Sequence, residues 1–331
     1  MKALVTGGGG FLGKALAKRL INRGDQVRSF SRGHYPELRA SGIDVQRGDL
    51  ADEKAVITAV EGCDTVFHVA AKPGIWGSYR SYYETNVIGT ENIIEGCRKT
   101  GVSRLIYTSS PSVVFGGGSM EGVNESTPYP QTYLAHYPKT KAMAERRVLS
   151  ADDTALATVV LRPHLIWGPG DPNFLPRLIE RKKAGRLARV GKSPHRVDCI
   201  YIDNAVDAHI LAADRLHPGS PISGKVYFIS QGEPIDISEL MNGILGAAGL
   251  DPIDRTVPVS LAYAAGCLLE MLYGILKLRG EPPMTRFLAK QLSTAHWFDM
   301  SAARKELGYS PTISIEEGLM RLEAFLKHNP N

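Results

Sequence analysis

Tyr137 and Lys141 stand four residues apart in the run Tyr137-Pro138-Lys139-Thr140-Lys141. On a helix that spacing stacks the two side chains on one face, a turn apart. A phenol ordinarily holds its proton to a pH of about 10, and a neighbouring ammonium favours the phenolate, which brings proton exchange towards neutral pH. Tyr-x-x-x-Lys alone is common on solvated helices. Its context here is Leu105-Ile106-Tyr107-Thr108-Ser109-Ser110-Pro111-Ser112, an apolar strand pattern that ends in hydroxyls. Ser110 is expected to hydrogen-bond a substrate carbonyl oxygen while Tyr137 supplies a proton to it, a clamp on a developing alkoxide. The candidate catalytic residues are therefore Tyr137, Lys141 and Ser110.

A second group opens the chain, which begins MKALVTGGGGFLGKAL. Gly7, Gly10 and Gly13 have the spacing G-x-x-G-x-x-G between a strand pattern and a helix pattern. The first permits a tight turn, the second lets backbone touch a pyrophosphate, and the third lets the helix pack closely on the strand. Phe11 and Leu12 complete the loop, and the helix they start aims its free N–H groups at the phosphates. No Gly-Lys-Ser/Thr follows, which argues against a P-loop nucleotidase. The end of the second strand separates the two nicotinamide nucleotides: an acid there binds the ribose 2′-OH of NAD, whereas an arginine accommodates a 2′-phosphate. The chain has Ser31 and then Arg32. NADP(H) is the expected cofactor, with NAD(H) as the alternative.

These residues require a scaffold that brings strand ends together. Strand patterns fall near Lys2–Thr6, Gln26–Ser31, Asp44–Arg47, Thr65–Val69, Arg104–Thr108 and Ala157–Arg162. Helix patterns lie near Phe11–Arg23, Glu53–Ala59, Ser81–Lys99 and Tyr133–Ser150. The alternation predicts an α/β fold of Rossmann type, a doubly wound parallel sheet whose ligands sit at the carboxyl ends of its strands. After about Pro163 the alternation lapses. The expected organisation is a dinucleotide-binding domain over 1–165 and a smaller, discontinuous substrate lobe over 166–331. Segments near 196–210 and 225–230 are expected to return to the first domain, and Arg196–Asp207 to rejoin the sheet.

The chain's 331 residues, 43% hydrophobic and 22% charged, are those of an ordinary globular protein rather than a disordered one. A net charge of +5 is only mildly basic. Its densest cluster, Arg177 to Arg189, reads as a solvated face or a rim that meets an anionic substrate, and nothing indicates a nucleic-acid partner. The four cysteines are far apart, with no disulfide framework and no metal site, so a reducing, cytoplasmic setting is expected. Val259–Leu278 approaches the roughly 20 apolar residues of a bilayer span, but Glu270 stands in its middle. It reads as a buried or amphipathic helix beside an apolar pocket, with contact to a membrane surface as the alternative.

Taken together, TGGGGFLG, Gly48-Asp49-Leu50, His68-Val69-Ala70-Ala71, Asn86–Thr90, Tyr107–Ser110, Tyr137–Lys141 and Leu161–Asp171 resemble the extended short-chain dehydrogenase/reductase superfamily along nearly the whole chain. The resemblance implies that Asp49 and Leu50 contact the adenine, that Ala70, Ala71 and Lys72 line the cofactor, and that Pro163 helps to seat the nicotinamide. It also implies that Asn86 holds the active-site strand and helix together, and that the enzyme is a homodimer through the helices Ser81–Lys99 and Tyr133–Ser150.

Within the superfamily, Tyr-Pro-x-x-Lys, Tyr201–His209, Glu281–Arg286 and Leu307-Gly308-Tyr309 are similar to the 3β-hydroxysteroid dehydrogenase branch. The run Ala70–Gly77 resembles the bacterial 2-alkyl-3-oxoalkanoate reductases of long-chain olefin synthesis. That likeness implies NADPH-dependent reduction of a β-keto acid with two long alkyl arms, by a protein placed in a multienzyme assembly or at a membrane surface. Trp76, Tyr79 and His164 are the expected pocket residues, with Tyr82, Tyr83 and the Val259–Leu278 helix around an apolar tunnel. The alternatives are a sterol-4α-carboxylate 3-dehydrogenase, a sugar-nucleotide epimerase or dehydratase, and a non-catalytic nucleotide sensor.

Overall fold

Seven strands pair in parallel in the computed structural model, which describes residues 1–278 and 280–329. They are β1 (Lys2–Thr6), β2 (Gln26–Ser31), β3 (Asp44–Arg47), β4 (Thr65–His68), β5 (Arg104–Thr108), β6 (Ala157–Pro163) and β7 (Lys225–Ile229). Their order across the sheet is β7-β6-β5-β4-β1-β2-β3. The order reverses between β1 and β4, so the connections leave on opposite sides and open a crevice at the carboxyl ends. Register aligns those ends, with Thr6 opposite His68, His68 opposite Tyr107, and Thr108 opposite Leu161.

Alternation along β1 shows why both faces are covered. Ala3 and Val5 belong to one core with Leu16 and Leu20 of the Phe11–Asn22 helix, whereas Leu4 points to the other core with Val56 and Ile93. All seven residues of β6 are buried. The helices Glu53–Val60 and Gly89–Thr100 pack together on one face, and Ile202–Arg215 packs on Phe11–Asn22 on the other.

Three expectations need correction. The helix expected over Ser81–Lys99 starts at Tyr79, passes through a π-helical turn at Glu84–Ile88, and continues as Gly89–Thr100. Such wide turns recur at functional sites. The helix expected from Tyr133 starts at His136, because Ala135 is extended and Tyr133 donates its hydroxyl to the Val113 carbonyl at 3.0 Å. Arg196–Asp207 does not rejoin the main sheet. Arg196–Val197 enters a four-stranded side sheet, Ile200–Tyr201 pairs with Ile166–Trp167, and Ile202 begins a helix. Ile202, Ala205, Val206, His209, Ala212 and Ala213 are buried at helical spacing, a period hidden in the apolar run.

The basic cluster read as a solvated face lies partly on the helix Phe174–Lys183, and the helix Ile315–His328 was not among the expected elements. Val259–Leu276 is helical but not a buried helix. Ala262 and Gly266 are buried, whereas Leu261, Leu268, Met271, Ile275 and Leu276 are exposed. Its apolarity makes it the one helix among the described residues long and apolar enough to cross a membrane. Glu270 accepts from the Arg286 backbone and guanidinium at 2.7 Å each, which fastens the helix to Arg286–Gln291. The last two positions of the 166–331 range lie outside the described residues.

Candidate active site

A cleft of about 750 Å³ runs along the carboxyl ends of β1, β2, β4, β5 and β6. Gly7, Gly10, Phe11, Leu12, Gly13, Ser31, Arg32, Asp49, Leu50, Ala70, Ala71, Ser110, Tyr137 and Pro163 all line it. Residues distant in sequence therefore share one cavity.

One end is made largely of backbone. Gly7 has φ +69°, and a Cβ there would meet Ala70 at 3.0–3.2 Å; a Cβ on Gly13 would sit 2.2 Å from the Gly7 carbonyl oxygen. The turn and the helix approach so closely only without side chains. The Phe11–Asn22 helix is capped by Gly10, whose lack of a side chain leaves the first N–H groups facing the cleft. Ser31 lines the same end, and its buried hydroxyl has no hydrogen-bond partner in the protein. Arg32 is 70% exposed, with its guanidinium 4.0 Å from Asp49. A glycine cradle, a helix N-terminus, an orphaned hydroxyl and an available cation fit a dinucleotide's phosphates and ribose.

At the other end Ser110 follows β5 and caps the short helical turn Pro111–Val114, with its oxygen accepting from the Ser112 N–H at 3.2 Å and lying 2.9 Å from the Ser112 hydroxyl. Burial raises the Tyr137 phenol above its ordinary range, and hydrogen bonding to Ser110 acts the other way. Lys141 is buried; its ammonium donates to the Thr108 carbonyl at 2.6 Å and lies 4.1 Å over the Tyr107 ring. Burial pulls its pKa down to about 7, against the opposing charge of Glu145. The expected lowering of the phenol by Lys141 is thus not a property of the protein alone, because desolvation dominates at both groups.

A buried polar network holds this end in place. Asn86, on the π-turn, accepts from the Lys72 N–H at 2.7 Å and donates to Thr140 Oγ1 at 3.0 Å, joining the loop after β4 to the Tyr137 helix. His68 links Thr6 at 2.8 Å to Thr90 at 2.9 Å, and burial lowers its pKa to about 3, so it stays neutral. Behind Ser110, the buried Glu145 carboxylate accepts from Ser109, from Tyr129 at 2.7 Å and from Arg162 Nε at 3.1 Å.

Lys141 lies behind the cleft wall, and Lys72 and the expected pocket residues Trp76, Tyr79, Tyr82, Tyr83 and His164 lie outside it. Lys72 contributes its neighbours, while its ammonium bonds the Ser81 hydroxyl and lies 5.1 Å over Tyr82. Trp76 packs edge-on against Tyr273, with ring centres 6.3 Å apart. Tyr79 sits at the exposed start of its helix beside His136. His164 is paired through Nδ1 with the Asp198 carbonyl at 2.8 Å, and burial lowers its pKa to about 4.

Tyr35, Leu165, Asp171 and Phe174 line the cleft and were not chosen from the sequence as site residues. Leu165 has φ +44°, a left-handed conformation that costs a non-glycine residue about 1–2 kcal/mol and marks a place where backbone is held under strain. Asp171 accepts from the N–H groups of Asn173 at 2.9 Å, Phe174 at 3.1 Å and Leu175 at 3.0 Å, capping Phe174–Lys183; Asp-Pro-Asn before an apolar helix is a signal for it.

Residues 4–259 match the model of the 3-beta hydroxysteroid dehydrogenase/isomerase family. A 2-alkyl-3-oxoalkanoate reductase of Stenotrophomonas maltophilia (strain K279a) is 54% identical over 326 residues, covering 98% of this chain and 99% of its own length. A protein of the same description from Shewanella oneidensis is 49% identical, over 98% of this chain and 86% of its own. A decarboxylating sterol-4-alpha-carboxylate 3-dehydrogenase of Mus musculus is 33% identical, over 99% and 91%. Among solved structures, gox2253 aligns with TM-score 0.80 and 27% identity over 99% of this chain and 98% of its own. MoeE5 in complex with UDP-glucose and NAD aligns with TM-score 0.77 and 25% identity over the whole of both. The chain belongs to the 3-beta hydroxysteroid dehydrogenase/isomerase family and is an oxidoreductase acting on CH–OH groups.

Proposed function

We propose that this oxidoreductase uses NADPH to reduce the ketone of a long-chain 2-alkyl-3-oxoalkanoic acid to the 2-alkyl-3-hydroxy acid, a step towards olefinic hydrocarbons. The observation that carries the substrate is the 54% identity, end to end, with a 2-alkyl-3-oxoalkanoate reductase. The sterol carboxylate reading rests on 33% identity and is second. Both substrates place a carboxyl group one carbon from the reacting position, so the same residues serve either.

The bound nicotinamide dinucleotide supplies the hydride. Residues 1–165, with the helix Ile202–Arg215 and β7 returning to the sheet, hold it, and the rest of 166–331 holds the substrate. In this reading Tyr137 gives its phenolic proton to the ketone oxygen, and Ser110 donates a hydrogen bond to that same oxygen as charge develops. Lys141, when protonated, stabilises the phenolate left on Tyr137. Ser31 and Arg32 favour a 2′-phosphate: a hydroxyl rather than a carboxylate ends β2, and the exposed Arg32 guanidinium, 4.0 Å from Asp49, is placed to pair with it. All four cysteines are unpaired, in keeping with a reducing cytoplasmic setting.

The test is a substrate panel read through nicotinamide absorbance. Rapid oxidation of NADPH, slower oxidation of NADH, with a 2-alkyl-3-oxo acid supports the reading. Turnover only with 4-carboxysterols or UDP-sugars overturns the substrate and keeps the chemistry. The same reading makes the protein a homodimer through Gly89–Thr100 and His136–Ser150, which light scattering showing only monomer would exclude. It also places the exposed apolar flank of Val259–Leu276 against lipid, which failure to sediment with anionic vesicles would exclude.

A further inference from the structure

Beside the cofactor cleft lies a second cavity of about 690 Å³, a size that suits a small-molecule ligand. Asn173 and Phe174 belong to the walls of both, so the second begins where the first ends. Its surface is largely apolar, with Leu178, Met241, Leu261, Ala262, Ala265 and Leu292 coming from four separate parts of the chain. Three of the four arginines in its lining, Arg177, Arg181 and Arg189, are engaged by the protein itself. Arg177 pairs with Glu281 at 2.8 Å, and Arg181 donates to the Pro283 carbonyl at 2.9 Å. Glu281 also accepts from the Ile75 N–H at 3.4 Å. These contacts fasten the Glu281–Met284 segment along the cavity and tie it to the loop after β4. The charges of Arg177 and Arg181 hold a wall in place.

Such a cavity recognises by shape and length. Ala262 and Ala265 are three residues apart on the Val259–Leu276 helix, hence on one face, and each leaves depth that a larger side chain would fill. We propose that this cavity receives one alkyl arm of the substrate past Phe174, and that Ala265 sets the longest arm it accepts. This deepens the keto-acid reading above and rests on it for the reaction, though not for the presence of an alkyl site.

Each methylene buried is worth about fourfold in binding, so an arm shortened by two or three carbons loses more than tenfold. The experiment measures kcat/KM over 2-alkyl-3-oxoalkanoic acids of graded arm length for the wild type, Ala265→Leu and Ala265→Trp. Binding of cis-parinaric acid, a fluorescent long-chain fatty acid, is measured alongside. The expected result is at least about tenfold loss on long arms, larger for Trp than for Leu, with short arms within about twofold and parinarate displaced. Ala264→Trp, on the exposed side of the helix, is expected to change neither. An unaltered length profile in Ala265→Trp, with parinarate still bound, overturns the inference. Parinarate binding that depends on Ala265 in a protein that reduces no oxo acid would keep the alkyl site and overturn the reaction assigned to it. Retained NADPH affinity in each variant shows that the fold survived.

Discussion

The nucleotide end of the cleft and the apolar cavity beside it are built in opposite ways. The first comes from one contiguous strand, turn and helix plus the ends of neighbouring strands, with a helix N-terminus that no side chain caps. The second is assembled from segments between Ile75 and Leu292, with ordinary aliphatic side chains and no motif. Chemistry that needs fixed donors concentrates in short runs, whereas selection of an alkyl chain spreads over any residues of suitable size. Ser110 and Tyr137 line the first, and Asn173 and Phe174 are common to both.

Substitutions at the two ends should therefore separate turnover, folding and selectivity. Tyr137→Phe is expected to lower kcat about a thousandfold with NADPH affinity unchanged, because a proton donor is lost and no packing is. Steady-state kinetics with nucleotide titration checks it. Lys141→Met should stabilise the fold by a few kcal/mol more at about pH 6 than at about pH 10. Folding lowers the Lys141 pKa from 10.5 to about 7, so the burial penalty is absent above the unfolded value and complete below the folded one. Denaturant melts at both pH values would show the slope, and parallel wild-type and variant curves would contradict it. Ser110→Ala should cost about a hundredfold in kcat. Arg32→Ala should reduce the preference for NADPH over NADH about tenfold, the scale of one charge-assisted contact at an exposed site, with kcat on NADH unaltered.

The same contrast explains how much was legible in the sequence. β1, β2, β3 and β5 are found at the expected residues; β1 and β5 are buried apolar runs with sharp ends, whereas β3 is a partly exposed edge strand. The glycine loop, Ser110 and Tyr137 line one cleft because strand order in such a sheet brings the carboxyl ends together. Tyr35, by contrast, enters the cleft only because its ring folds back against Gly9 and Gly33, a contact no local pattern encodes. The strained Leu165 is equally invisible, since nothing in Pro163-His164-Leu165 announces a left-handed residue. Lys72 was placed by family likeness, but the Ser81 hydroxyl and the Tyr82 ring hold its side chain away from the cleft. The Val259–Leu276 helix shows a further limit: composition left a buried helix, an amphipathic helix and contact with a membrane surface open, and in the structure most of its large side chains face outward. Hydrophobicity states that a surface is to be covered and not what covers it.

The most direct test of the central claim follows a labelled hydride. The purified enzyme, given NADPH deuterated at the transferable nicotinamide position and a 2-alkyl-3-oxoalkanoic acid, should yield a 3-hydroxy acid carrying one deuterium on C3, with NADP⁺ released in equal amount. A product without label, or label found only in nucleotide that never leaves the protein, would contradict the assignment of this cleft to ketone reduction.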